Sequence, residues 1–135
     1  MVLNRLQRCA LGLAGITSFG IGVFIVTAPH AFYASYGITL GSDASLLSEL
    51  RAPGAGLAAF GAIMLAGIVR PALASAAVVA ALCVFLAFPL GRVVGLIMDG
   101  APSAGILGAL VFEIIIAAAC TYAFVPKRLG GRQPL

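Results

Sequence analysis

The feature that most constrains this chain is its division into four long apolar blocks, with eight of its twelve charged residues lying outside them. The blocks run from about residues 9–27, 45–69, 72–98 and 102–125. About twenty helical residues, rising 1.5 Å each, cross a hydrocarbon core of about 30 Å. Within each block the apolar residues are nearly continuous, unlike the spaced stripe of a helix that lies on a soluble core. Charged residues make up 9% of the 135-residue chain, against about 25% in soluble domains. A soluble protein this short has too much surface to wet with so few charges. The expected fold class is therefore all-α, a single-domain four-helix transmembrane bundle whose helices join as two antiparallel hairpins.

Arg5 and Arg8 precede the first block as in a signal peptide, but the block is long for one and Ala28-Pro29 is a poor cleavage site, so an uncleaved span is expected. Residues 29–42 carry Phe32, Tyr33 and Tyr36 without a charge, which suits the aromatic belt at the outer interface. The second span starts either near Pro53, in a first turn, or earlier behind a cap at Asp43 or Ser45, leaving Pro53 inside the helix. The earlier start is preferred. Arg70-Pro71 forms an inner turn, the third helix continues past Pro89, and Asp99-Gly100-Ala101-Pro102 forms an outer turn. Arg5, Arg8, Arg70, Lys127, Arg128 and Arg132 then share one side, so the positive-inside rule places both termini in the cytoplasm, with residues 126–135 as a mobile tail.

Small residues recur at helical spacing. Gly12, Gly15, Gly20 and Gly22 line the first block, and Gly91-x-x-x-Gly95 and Gly105 with Ala109 mark the third and fourth. Such residues let helix backbones approach closely in lipid. Gly91, Gly95, Gly105 and Ala109 are the expected packing positions, within one bundle or against another membrane subunit.

Glu113 stands out because it lies near the middle of the fourth block, among Leu, Ile, Val and Phe. A carboxylate there costs on the order of 2.5–3.5 kcal/mol on insertion scales, which the surrounding apolar residues offset at roughly 0.3–0.6 kcal/mol each. The span inserts, but its carboxylate needs a partner. Arg92 lies seven residues before Asp99, hence about 10 Å below the outer turn, at a depth from which its long side chain reaches Glu113 across the hairpin. Glu49 and Arg51 enter the same outer half. A polar cluster of Glu49, Arg51, Arg92, Asp99 and Glu113 is expected, either fixing helix register or forming a site for a polar headgroup, a quinone or a proton path.

Glu49-Leu50-Arg51, Gly91-Arg92 followed by Gly100 and Pro102, and Glu113 together resemble the motifs of a bacterial family of small four-helix membrane proteins, domain of unknown function 4345. The resemblance covers most of the chain from Glu49 onward. It implies a bacterial cytoplasmic-membrane location and no particular activity.

Two functional classes remain open. One is a non-enzymatic accessory or scaffold subunit that packs against other membrane proteins or against a second copy of itself. The alternative is a membrane-embedded binding or transport protein for a small polar, lipid or quinone-like ligand held at the charge cluster. An enzyme is not expected. His30 is the single histidine, and Cys9, Cys83 and Cys120 stand far apart, so neither a metal site nor a nucleophile–base pair is apparent. No cofactor is expected. The net charge of +4 belongs to topology signals and not to nucleic acid, because no basic stripe with interleaved aromatics exists.

Overall fold

The computed structural model describes residues 1–125, so the expected mobile tail lies outside the described residues. Among the described residues there are four long α-helices and one short one: α1 Arg5–Thr27, α2 Pro29–Ala34, α3 Ala44–Val69, α4 Ala74–Asp99 and α5 Ala104–Phe124. A 3-10 turn at Pro71–Leu73 joins α3 to α4. No strand occurs among the described residues. The four long helices are each apolar and long enough to cross a membrane.

Local chemistry explains where the helices begin. Asn4 caps α1 by accepting from the Gln7 amide at 2.9 Å, while the Gln7 side chain accepts from the Asn4 amide at 3.0 Å. This reciprocal box satisfies two of the amides a helix start leaves free, and it starts α1 four residues earlier than the apolar block. Asp43 caps α3 by accepting from Leu46 N at 2.7 Å, so the early start holds and Pro53 lies inside the helix. Ser103 caps α5. At the end of α4, Gly100 has φ 93° and ψ −171°, a conformation essentially restricted to glycine, and it turns the chain toward α5.

Around the bundle, α1 and α4 each pack against both α3 and α5, while α3 and α5 lie diagonally apart. The core holds Leu11, Met64, Ala81, Ile116 and Cys120. The start of α1 meets the end of α5 where Gln7 Nε2 donates to Ala123 O at 3.1 Å.

The tightest seam joins α1 to α3. A Cβ at Gly22 would strike the backbone of Gly54 and Ala58, and one at Gly61 would strike the backbone of Phe19. Gly15 and Gly54 receive Leu65 and Ile25 in the same seam. The pairs Gly15/Gly22 and Gly54/Gly61 are each seven residues apart, two turns on one helix face. Ser18 Oγ crosses the seam to donate to Leu57 O at 2.8 Å. The packing expected at Gly91 and Gly95 is different: Gly91 faces open space, and Gly95 meets only Asp99 of its own helix. Gly105 does make a close approach, to Ser35 and Tyr36, whereas Ala109 faces a cavity.

Candidate functional site: a chamber beside a buried ion pair

Across the α4–α5 hairpin, Arg92 and Glu113 form a fork-to-fork pair. Arg92 Nε donates to Glu113 Oε2 at 2.9 Å, and Nη2 donates to Oε1 at 2.9 Å. Two parallel charge-assisted bonds fix the geometry as well as the charge. The Glu113 side chain is 10% exposed and that of Arg92 is 27% exposed. The carboxylate is thus enclosed while the guanidinium keeps one side open. Among the described residues this is the only ion pair, and no buried side-chain nitrogen or oxygen lacks a partner.

The open side of Arg92 faces a cavity of about 620 Å³, within the usual range of about 300–1,000 Å³ for small-molecule sites. Ile21 and Ile25 of α1, Phe85 and Phe88 of α4, and Phe112 of α5 supply an apolar wall. Phe32, Tyr33 and Tyr36, from α2 and the turn after it, close one end. This roof is held in several ways. Phe32 is buried and meets Phe24, Tyr33 and Tyr36 edge-on at centroid distances of 5.4, 5.1 and 5.2 Å. Tyr36 O accepts from Ser103 Oγ at 2.7 Å, and His30 Nε2 lies 3.1 Å from Gly41 O. Burial pushes the Tyr33 phenol above its usual pKa, with Arg92 pulling it back and Tyr36 adding to the rise. Tyr33 therefore serves as a hydroxyl group at neutral pH.

The chamber is lined mainly from α1, α4 and α5 together with the roof segment. Near the start of α1 and the end of α5 these two helices touch through Gln7 with Ala123 and through Cys120 with Ala10. Farther along, the roof segment stands between them.

Three members of the expected cluster lie elsewhere. Arg51 Nε donates to Val26 O at 3.0 Å, satisfying one of the carbonyls that the last turn of α1 leaves free and placing positive charge at a helix C-terminus. A nearby unpaired carbonyl outcompetes a distant carboxylate. Glu49 is exposed near the start of α3, and Asp99 is exposed at the end of α4. The Arg92 fork is already taken by Glu113, so Asp99, two turns away, has nothing to draw it inward. Among the described residues, no group of His, Cys, Asp and Glu is placed to hold a metal.

A family model described as Domain of unknown function (DUF4345) matches residues 6–124. The chain belongs to this family. The DUF4345 region contains every residue named above as lining the chamber, together with the ion pair and the glycine seam. No curated protein and no solved structure matches the chain.

The aromatic side of the chamber is what reading by sequence missed. Phe85, Phe88 and Arg92 follow one another at three- and four-residue steps, as Ala109 and Glu113 do at four. That spacing puts each set on one helix face. An arginine continuing an aromatic stripe was the available signal.

Proposed function

We propose that this DUF4345 protein is an integral membrane protein that binds a small amphiphile in the chamber, with the apolar portion among Phe85, Phe88 and Phe112 and the polar head at Arg92–Glu113. One observation carries this reading: the Arg92–Glu113 ion pair borders a largely apolar cavity of about 620 Å³. Interiors are close-packed, and a pair that only fixes helix register works as well in a packed wall. Both termini are assigned to the cytoplasm, because Arg5, Arg8 and Arg70 share one end of the bundle. The role is non-enzymatic binding or carriage, and no cofactor enters it.

Native mass spectrometry of the protein released from mild detergent tests the reading. Wild type should retain a bound small molecule, and Ala109→Trp, which fills the chamber from α5, should lose it. If neither form retains or takes up any amphiphile, the reading fails.

A second reading, as an accessory subunit, draws on a separate observation. In the most apolar window of α5 only 17% is buried, against 39% for α1, and Gly108 faces open space. Co-purification of a larger membrane protein that is lost on Gly108→Leu would support it.

A further inference from the structure

Resting on the amphiphile-binding reading, we infer that the head group received by the chamber is an uncharged carbonyl acceptor, as in a quinone ring or a glyceride ester, and not an ionised group. Charge balance comes first. Arg92 and Glu113 are the two charged residues lining the cavity, and they are bonded to each other at 2.9 Å twice over. An anion reaching Arg92 would bring a second negative charge beside Glu113, and a cation reaching Glu113 would meet the guanidinium. Either leaves an uncompensated ion among aromatic and aliphatic side chains, which is far costlier than burying a hydrogen-bonded neutral group.

The unused hydrogen-bonding capacity points the same way. A guanidinium has five N–H groups, of which two go to Glu113, so three are left. The hydroxyls of Tyr33 and Tyr36 also line the cavity and have no bonding partner among the described residues. The chamber therefore presents free donors on two sides, on α4 and in the roof. A carbonyl oxygen meets Arg92 with charge assistance and without adding charge. The aromatic side chains of Phe88 and Phe112 offer surfaces against which a flat ring or an acyl chain can pack.

Isothermal titration of the full-length protein in detergent, with four probes of similar apolar size, tests this. The probes are a decyl-tailed benzoquinone, monodecanoylglycerol, decanoate and decylammonium. One or both carbonyl probes should bind about tenfold more tightly than either ionised probe, and the tighter of the two identifies the source of the carbonyl. Tyr33→Phe and Tyr36→Phe remove only hydroxyls and should together weaken carbonyl binding about tenfold, the size of one or two hydrogen bonds. Arg92→Lys keeps the positive charge but loses the fork, and should weaken it similarly. If decanoate or decylammonium binds as tightly as the carbonyl probes, the uncharged-head inference is overturned while the amphiphile site stands. If no probe binds, the binding reading itself falls.

Discussion

Removing one half of the Arg92–Glu113 pair should be far more damaging than removing both. Breaking a buried pair by deleting one partner costs about 3–5 kcal/mol, whereas replacing both by apolar residues of similar volume is often neutral or stabilising. The structure ranks the single variants. Glu113→Leu leaves a guanidinium whose side chain is 27% exposed and open to the chamber, whereas Arg92→Met leaves a carboxylate that is 10% exposed. Glu113→Leu should therefore cost about 3 kcal/mol and Arg92→Met nearer 5 kcal/mol, with the double variant within about 1 kcal/mol of wild type. The coupling then reaches about 7 kcal/mol, above the roughly 0.5–3 kcal/mol usual for residues in contact. Unfolding in mixed dodecyl maltoside and SDS micelles, followed by helical circular dichroism, measures all four proteins on one scale. Single variants each within about 0.5 kcal/mol of wild type, adding without coupling, would refute the reasoning. The double variant also separates stability from function: it should stay folded and bind no amphiphile.

Three further outcomes follow from the packing and the helix ends. Gly61→Ala and Gly22→Ala drive a methyl into facing backbone and should cost about 1–3 kcal/mol, while Gly20→Ala, with nothing within 4 Å, should be neutral or stabilising by up to about 1 kcal/mol; equal effects in the micelle assay would dismiss the seam. Asn4→Ala removes the box that starts α1 and should cost about 1 kcal/mol, seen as faster amide exchange confined to the first turn. In a background with Cys9, Cys83 and Cys120 replaced by alanine, Ser42→Cys should react with a membrane-impermeant maleimide added to intact cells; protection there, with labelling only after permeabilisation, would reverse the assigned topology.

Much of the fold could be read from local chemistry. The number and order of the four long helices follow from block length, while the short α2 does not, and the α3 start follows from Asp43, because a cap acts over three residues. The start of α1 was harder to see, since Asn4 and Gln7 lie outside the apolar block that drew attention to the helix. Arg92 and Glu113 could be matched by depth because one short turn joins their helices, and that leaves little freedom of register. Arg51 could not be assigned in the same way. Its partner is a main-chain carbonyl in α1, and every helix end offers such groups. The aromatic segment was legible as interfacial composition, but its role as a roof depends on the chain folding back over α4 and α5. The glycine seam likewise needs the relative rotation of α1 and α3, which decides that Gly54 and Gly61 meet Gly22 and Phe19 while Gly91 meets nothing.

None of the seam glycines lines the chamber, although Ser18, Ile25 and Leu57 border both, and this has a bearing on how such a protein can diverge. Substitutions that hold α1 and α3 together are restricted almost to hydrogen at the crossing points. The side chains around Arg92 come largely from other helices, where a change of size alters the shape of a space and not the meeting of two backbones. Descendants of one scaffold can therefore trade one guest molecule for another by changing residues such as Phe88, Phe112 or Ile106, while the framework that holds the chain upright is inherited intact.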